Sequence, residues 1–381
     1  MKVAFISNIC PHYRVKTYEI MARVMDVDFY FFSAGDEWYW QQQHGVKRGE
    51  FHSQYLKGFY LGRTRITPGI IPRLLSGGYD VYIKCINGRF ILPITYLIAR
   101  LRRKPFILWT GIWMRLQSRA HRLFYPVTRY LYTHSDAVVV YGEHVKRFLV
   151  AEGVQPEKIF VTTHAVDNEF FVREVSEEEK SALRERLGIS ADQKVVLYLG
   201  RLEEIKGLPE VIQAFAWLPE TQNAVLVLAG EGSMRGELEK QVESLEIQDR
   251  VRFAGYTQQA DSVAFYAIAD VFVLNSVTTP QGKETWGLVV NEAMLQGVPV
   301  VASDAVGAAA GGLVRDGWNG YIVPEGNIQS LSDAISRVLQ DPALREQMSR
   351  NAREIMKDWN NETMVASFRQ AVEYVLKKKY R

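Results

Sequence analysis

Cysteine is nearly absent: Cys10 and Cys85 are the two among 381 residues. A disulfide framework is therefore excluded as the basis of stability, and a reducing cytoplasm suits the chain. No apolar stretch reaches the roughly 18–20 residues that span a bilayer. Met1-Lys2 runs directly into the strand-like Val3-Ala4-Phe5-Ile6, with no visible secretory signal. No Gly-x-Gly-x-x-Gly follows the first strand of either half, which argues against a dehydrogenase. No His/Cys cluster has metal-ligand spacing. No reading module or recognition helix for nucleic acid is evident either.

Acidic residues are scarce in one part only. Residues 1–160 hold 23 Lys/Arg against 11 Asp/Glu, whereas the remainder holds 23 against 32, although the whole chain nets only +3. Such asymmetry implies two domains and gives the first an affinity for anions. A composition 47% hydrophobic and 23% charged, over 381 residues, is that of a soluble globular protein with room for two cores.

What is present is strand–helix alternation. Strand-like runs fall at residues 2–8, 27–33, 80–85, 105–110, 136–141 and 158–163, then at 194–200, 224–229, 250–254, 270–275, 298–303 and 320–323. Many lack polar alternation, as parallel strands covered on both faces do. Helical patterns fill the gaps, for example Leu208 to Leu218 and Met234 to Leu245. The expectation is α/β, with two doubly wound parallel-sheet domains, residues 1–170 and 171–360. The boundary lies near residues 166–190, where Ser176-Glu177-Glu178-Glu179 looks like a capped helix start. A helix over 361–381 ends Lys377-Lys378-Lys379-Tyr380-Arg381. Two destinations are open for it: back to the first domain, or, because its basic end suits a basic domain poorly, toward solvent or a membrane.

Four loops at the carboxyl edge of the second sheet carry the chemistry. Gly200-Arg201-Leu202-Glu203-Glu204-Ile205-Lys206-Gly207 follows a strand directly. An Arg fork and a Lys point charge five residues apart could clasp a diphosphate; a plain solvated loop is about as good a reading. Ala229-Gly230-Glu231-Gly232-Ser233 could bring amides to an anion, although a tight turn explains it at least as well. Gly255-Tyr256 closes a third strand and could hold a nucleobase with its backbone. In the fourth, Glu284 and Glu292 lie eight positions apart, with Gly287 between them where a loop becomes a helix. A carboxylate in such a loop sits where open α/β sheets bind ligands.

Together these loops resemble the retaining family 4 glycosyltransferases of the GT-B fold. The resemblance rests on Gly200-Arg201 with Lys206-Gly207, Gly230-Glu231-Gly232, and Glu284 with Glu292. It is supported by Glu292-Ala293-Met294, Gly297-Val298-Pro299-Val300-Val301, Gly307 and Asp316-Gly317-x-Asn319-Gly320-Tyr321, over roughly residues 160–360. It implies two Rossmann-like domains facing a cleft, with a nucleoside-diphosphate sugar held mainly by the second. Arg201 and Lys206 would neutralise the diphosphate in place of a metal, so no cofactor is expected. Thr285 and the backbone amides of Trp286, Gly287 and Leu288 would complete the anion site, with Gly200, Gly232 and Tyr256 lining the donor. Glu292 would accept hydrogen bonds from the ribose, and Glu284 would hold a hydroxyl of the donor sugar. Retention is implied through a leaving phosphate that itself takes the incoming hydroxyl's proton.

The first domain fits the resemblance less closely. Where many members have a Gly-Gly loop, this chain has Asn8-Ile9-Cys10-Pro11-His12-Tyr13-Arg14, which leaves His12 or Arg14 as replacements. Where many carry a histidine at a strand end, it has Thr110-Gly111. These four residues are the acceptor-side candidates. Asp26-Val27-Asp28 spells the metal-binding Asp-x-Asp of other transferases, but its apolar run follows rather than precedes it, so a strand entry is expected. Basic and aromatic residues interleave at Arg100–Lys104 and from Trp113 to Arg129. With Trp38-Tyr39-Trp40 they could dock an anionic membrane and seat a lipid-linked acceptor; a solvated basic face is the alternative.

The expectation is a metal-independent retaining glycosyltransferase using a UDP-sugar, with a GDP-sugar second. Its acceptor is a glycan or lipid-linked molecule of cell-envelope polysaccharide synthesis, in the cytoplasm or at the inner face of the plasma membrane. A nucleotide-sugar epimerase or hydrolase on the same fold, and a non-catalytic nucleotide-sugar-binding subunit, stay open as alternatives.

Overall fold

The computed structural model describes residues 1–33, 49–62 and 64–379; Trp38-Tyr39-Trp40 lies outside them. The chain divides into two compact units. One takes residues 1–115, 119–167 and 360–381, the other residues 116–118 and 168–359.

The first unit is built on a seven-stranded, wholly parallel sheet. Its strands are β1 (Lys2–Ser7), β2 (Asp26–Phe31), β3 (Ser53–Tyr55), β6 (Val81–Cys85), β7 (Phe106–Thr110), β8 (Ala137–Val140) and β9 (Ile159–Val161), ordered 3-2-1-6-7-8-9. A small antiparallel hairpin pairs β4 (Phe59–Leu61) with β5 (Thr64–Ile66). The central strands are runs such as Phe-Ile-Leu-Trp and Ala-Val-Val-Val, buried on both faces. β3, β4 and β5 are absent from the sequence expectation, because three-residue strands such as Ser-Gln-Tyr have too little apolar pattern to register.

The helix Asn361–Lys379 belongs to this unit. It buries Met364, Val365, Phe368, Ala371, Val372 and Val375, with Phe368 5.8 Å from the Phe5 ring and 5.5 Å from Trp109. The outward alternative for this helix is thereby corrected. Each buried apolar side chain is worth about 1.5–3 kcal/mol, whereas repulsion between exposed lysines is screened by salt. Lys377 and Lys378 stay exposed.

The second unit repeats the plan with six parallel strands: β10 (Lys194–Leu199), β11 (Ala224–Ala229), β12 (Val251–Gly255), β13 (Val271–Leu274), β14 (Val300–Ser303) and β15 (Gly320–Val323). Their order is 12-11-10-13-14-15. The chain thus works outward from β10 in one direction, returns, and works outward from β13 in the other. The chain order reverses between β10 and β13, the position at which open α/β sheets have their ligand crevice. The helix Glu177–Arg186 starts where expected, with the Ser176 hydroxyl accepting from the Glu179 amide. Among the described residues no helix is long and apolar enough to cross a membrane.

Candidate active site

The crevice at β10/β13 is lined by residues 200–207 and 275–287. Hydrogen bonds tie the two segments together: the Val277 amide donates to the Ile205 carbonyl at 2.8 Å, and the Asn275 side-chain Nδ2 to the Gly207 carbonyl at 3.3 Å. The short turn Glu204–Lys206 ends at Gly207, which is left-handed at φ 59°, ψ 37° and begins the helix Leu208–Ala216. Lys206 is thereby turned into the crevice, where its Nζ donates to Oε2 of Glu284. Ser276 Oγ donates to the same oxygen at 3.3 Å. Burial pushes the Glu284 carboxyl up, but Lys206, Ser276 and the charge of Arg201 together bring it below its ordinary value. Glu284 is an anion at neutral pH.

Arg201 stands differently. Its side chain is 56% exposed, and its nearest carboxylate, Glu203, is 3.9 Å away. Its backbone is fixed from behind, because the buried Tyr198 hydroxyl donates to the Arg201 carbonyl at 2.6 Å. The result is an exposed cation on a held loop.

The 230–234 segment braces that loop. Leu202 donates its amide to Glu231 and the Met234 amide donates to Leu202. A Cβ at Gly230 would lie 1.8 Å from the Gly200 carbonyl oxygen, and one at Gly232 would lie 2.2 Å from that of Leu202. These glycines therefore answer first to backbone crowding between two loops. Tyr256, past the end of β12, is 47% exposed.

On the far side of the crevice, Gly287 is left-handed at φ 88°, ψ 71° and opens the helix Leu288–Leu295 with no side-chain cap. The first-turn amides of such a helix have no intrahelical acceptor. Glu284 and Trp286 offer their carbonyls to Gly307 and Ala308, which clamps the segment containing Thr285. The Trp286 ring is 1% exposed, donates Nε1–H to Asn291 at 2.8 Å and stacks on Trp359 at 5.9 Å. Trp286 can therefore offer a ligand its backbone only. Glu292 accepts from the buried Tyr266 hydroxyl at 2.7 Å. Burial pushes its carboxyl up to about 7, with Tyr266 pulling the other way. The two glutamates, alike in sequence, thus differ in charge: one is firmly ionised and the other poised.

The structure brings Arg201, Lys206 and Glu284 together, with the helix start at Gly287 and Leu288 just after Glu284 in the chain. Sequence reasoning missed Ser276, Tyr198 and Tyr266. Ser276 had a signal, since it follows β13 by two residues; the tyrosines look like ordinary core aromatics.

In the first unit, the expectation of Arg14 as an available cation is corrected. Its side chain is 2% exposed, bonds His164 Nε2 at 2.9 Å and Met364 Sδ at 3.1 Å, and lies over the Trp109 ring. Burial and the neighbouring guanidinium push His164 well below its ordinary range, so it is neutral. His12 is half-buried and edge-on to Tyr13. Thr110 is buried, with its hydroxyl accepting from the Ile112 amide, and a Cβ on Gly111 would strike the Tyr141 ring. The Asp28 carboxylate is occupied by Lys2, His52 and Tyr79.

Residues 179–355 match the family model described as glycosyl transferases group 1. The chain carries a group 1 glycosyl transferase domain. Alpha-D-kanosaminyltransferase of Streptomyces kanamyceticus is 28% identical over 285 residues, covering 72% of either chain. The lipopolysaccharide core biosynthesis glycosyltransferase LpsE of Rhizobium meliloti is 36% identical over 173 residues, 45% of this chain and 47% of that one. This chain therefore spans only part of the length of these relatives. Among solved structures, Anabaena HepE in complex with UDP superposes with a TM-score of 0.77 at 22% identity, over 98% of this chain and 100% of that one. The fold is GT-B. The crevice at β10/β13 belongs to the group 1 domain.

Proposed function

We propose that this glycosyltransferase moves a sugar from a nucleoside-diphosphate sugar to a glycan or lipid-linked acceptor of cell-envelope polysaccharide synthesis, with retention and without a metal. The observation that carries the reading is the Lys206–Glu284 pair at the switch point, with the exposed Arg201 on the same loop. An arriving diphosphate competes with Glu284 for Lys206 and draws Arg201 in from solvent, so two cations neutralise the leaving group where other enzymes use a metal ion. Glu284, released, accepts from a donor-sugar hydroxyl. Glu292 accepts from the ribose, the amides at Trp286, Gly287 and Leu288 meet the phosphates, and Gly255-Tyr256 faces the base. The bond from the anomeric carbon to the phosphate oxygen breaks as the bond to the acceptor oxygen forms on the same face. The departing phosphate takes the acceptor's proton. A UDP-sugar is favoured over a GDP-sugar; HepE, one of the structural neighbours, has been solved in complex with UDP-glucose.

The first unit supports a lipid-linked acceptor at an anionic bilayer. No Asp or Glu occurs between Asp80 and Asp136. Within that span Leu97, Leu101, Leu123, Phe124, Val127 and Tyr130 are exposed apolar residues, on two helices joined where Tyr96 meets Tyr130 at 6.0 Å. Exposed Arg102, Arg103, Arg119 and Arg122 accompany them. Apolar insertion with arginine–phosphate attraction suits an anionic membrane surface.

The deciding experiment is donor turnover with acceptor. Arg201→Ala and Lys206→Ala should each lower kcat/KM at least about tenfold, and unchanged kinetics would remove the diphosphate assignment. Activity should survive EDTA, and a strict Mn²⁺ or Mg²⁺ requirement would overturn metal independence. Sugar release at full rate without acceptor would favour a hydrolase. Vesicle binding should rise with phosphatidylglycerol content and fall with salt; binding indifferent to both would leave a merely solvated face.

A further inference from the structure

Behind the crevice lies a layer of buried phenols that the proposed chemistry does not use. Tyr266, on the helix Gln259–Ala267, is fully buried, packs edge-on against Phe272 of β13 at 5.7 Å, and aims its hydroxyl at Glu292. A phenol is costly to bury unless its hydroxyl is bonded. Here the partner is the one carboxyl assigned to the ribose.

We infer that Tyr266 is a positioning residue for nucleotide recognition: its hydroxyl orients the Glu292 carboxyl and favours the ionised form that ribose hydroxyls require. The inference rests on Glu292 as ribose anchor. The chemistry is a division of acceptor sites. A carboxylate has two oxygens and about four lone-pair positions. Tyr266 occupies one position on Oε2 from the protein side, which fixes the plane of the group and leaves the remaining positions for the two ribose hydroxyls. A protonated carboxyl, by contrast, turns one oxygen into a donor and loses the bidentate match.

The surroundings make this hydrogen bond decisive. Of the elements packed against the 288–295 helix, β13 and β14 carry no titratable group. The Gln259–Ala267 helix carries Asp261 besides Tyr266, and the short helix Asn168–Phe171 carries Glu169. The helix Pro342–Met356 carries five charges. Of these, Arg345 pairs with Asp270, Arg350 with Glu346 and Glu354 with Lys357, while Arg353 bonds the Gln296 carbonyl at the far end of the 288–295 helix. Tyr266 is the group that opposes burial at Glu292, and the carboxyl stands at about 7 with that opposition in place. Ribose hydroxyls donating to it favour ionisation further, so nucleotide binding near neutral pH should expel part of a proton.

The test is calorimetric titration of the intact protein with UDP and GDP, each compared with its 2′,3′-dideoxy form, from pH 5.5 to 8.5. Wild type should prefer the ribonucleotide above neutrality and lose that preference toward pH 6. Its binding heat near pH 7 should vary with the buffer's ionisation enthalpy. Tyr266→Phe keeps the ring and removes one oxygen; it should move the midpoint of the preference up by at least about one pH unit, a tenfold change in ionisation constant. Its ribonucleotide preference should then return by pH 8.5. A Tyr266→Phe midpoint equal to that of wild type would show that the tyrosine only packs, and would overturn the inference. Absence of any ribose preference in wild type, or its survival in Glu292→Gln, would instead overturn the ribose assignment. Buffer-independent heats in wild type would count against the poised carboxyl without any variant being needed.

Discussion

Lys206→Ala tests the centre of the crevice through stability alone, with no substrate required. The Lys206 and Glu284 side chains are 12% and 18% exposed, so the ion pair is largely shielded from water. Deleting one partner of such a pair typically costs about 3–5 kcal/mol. Protonation of the abandoned glutamate sets a ceiling. At pH 7, a carboxyl with an ordinary value of 4.5 takes up a proton at a cost of about 3.4 kcal/mol. The expected loss at pH 7 is therefore about 3 kcal/mol. Its pH dependence follows from the signs. In wild type the carboxyl lies below its ordinary value, so its stabilisation is present above about 4.5 and fades as the pH falls through the native value. In the variant burial is opposed only by Ser276 and the charge of Arg201, the smaller of the lowering influences, so the carboxyl rises and the native state is penalised increasingly above about 4.5. The gap between the two proteins should shrink by about 1.4 kcal/mol per pH unit from pH 7 toward pH 5. Urea unfolding at several pH values measures it, with Lys206→Ala/Glu284→Gln as the companion that should regain most of the loss and flatten the slope. A deficit equal at pH 5 and pH 7 would refute the reasoning.

Three further outcomes are expected. Gly230→Ala places a methyl group 1.8 Å from the Gly200 carbonyl oxygen; it should cost roughly 3 kcal/mol or more, and an unchanged Tm would dissolve the interlock of the two loops. Phe368→Ala should cost the first unit about 3–5 kcal/mol by opening a cavity beside Phe5 and Trp109, read by chemical denaturation; a loss below 1 kcal/mol would mean the helix only rests on the sheet. Burial pushes the Lys84 ammonium down to about 7 from its ordinary 10.5. Between those values the unfolded chain binds more protons than the native one, so stability should rise with pH by up to about 1.4 kcal/mol per unit. Lys84→Met should abolish that slope between pH 7 and 9, and a slope retained in the variant would place its origin elsewhere.

The twelve expected strands were legible because most are short, largely apolar runs between helical patterns, the mark of a strand covered on both faces. Arg201, Lys206 and Glu284 were legible for a related reason: a charged residue just past such a run stands at the ligand-binding edge. What the pattern does not carry is depth. Arg14 sits in a polar-looking loop between His12 and the helix Val15–Val24, yet His164, 150 residues away, draws it inside. Trp286 reads as a site residue because it neighbours Glu284, but its ring turns back onto Trp359. Gly230 and Gly232 suggest an anion nest until the crossing loop is seen to need the space. In each case a contact distant in sequence decides the outcome, and single-chain periodicity holds no record of it.

The return of the 361–379 helix to the first unit also sets an order of events on the ribosome. A nascent chain emerges amino end first, yet one face of the first sheet, with Phe5, Trp109 and Val139, waits for Met364 to Val375 to cover it. The second unit, drawn from residues 116–118 and 168–359, has all its residues before that helix is made. The half that begins later can thus finish earlier. The half that begins first spends the interval with an apolar face open to chaperones and to neighbouring chains.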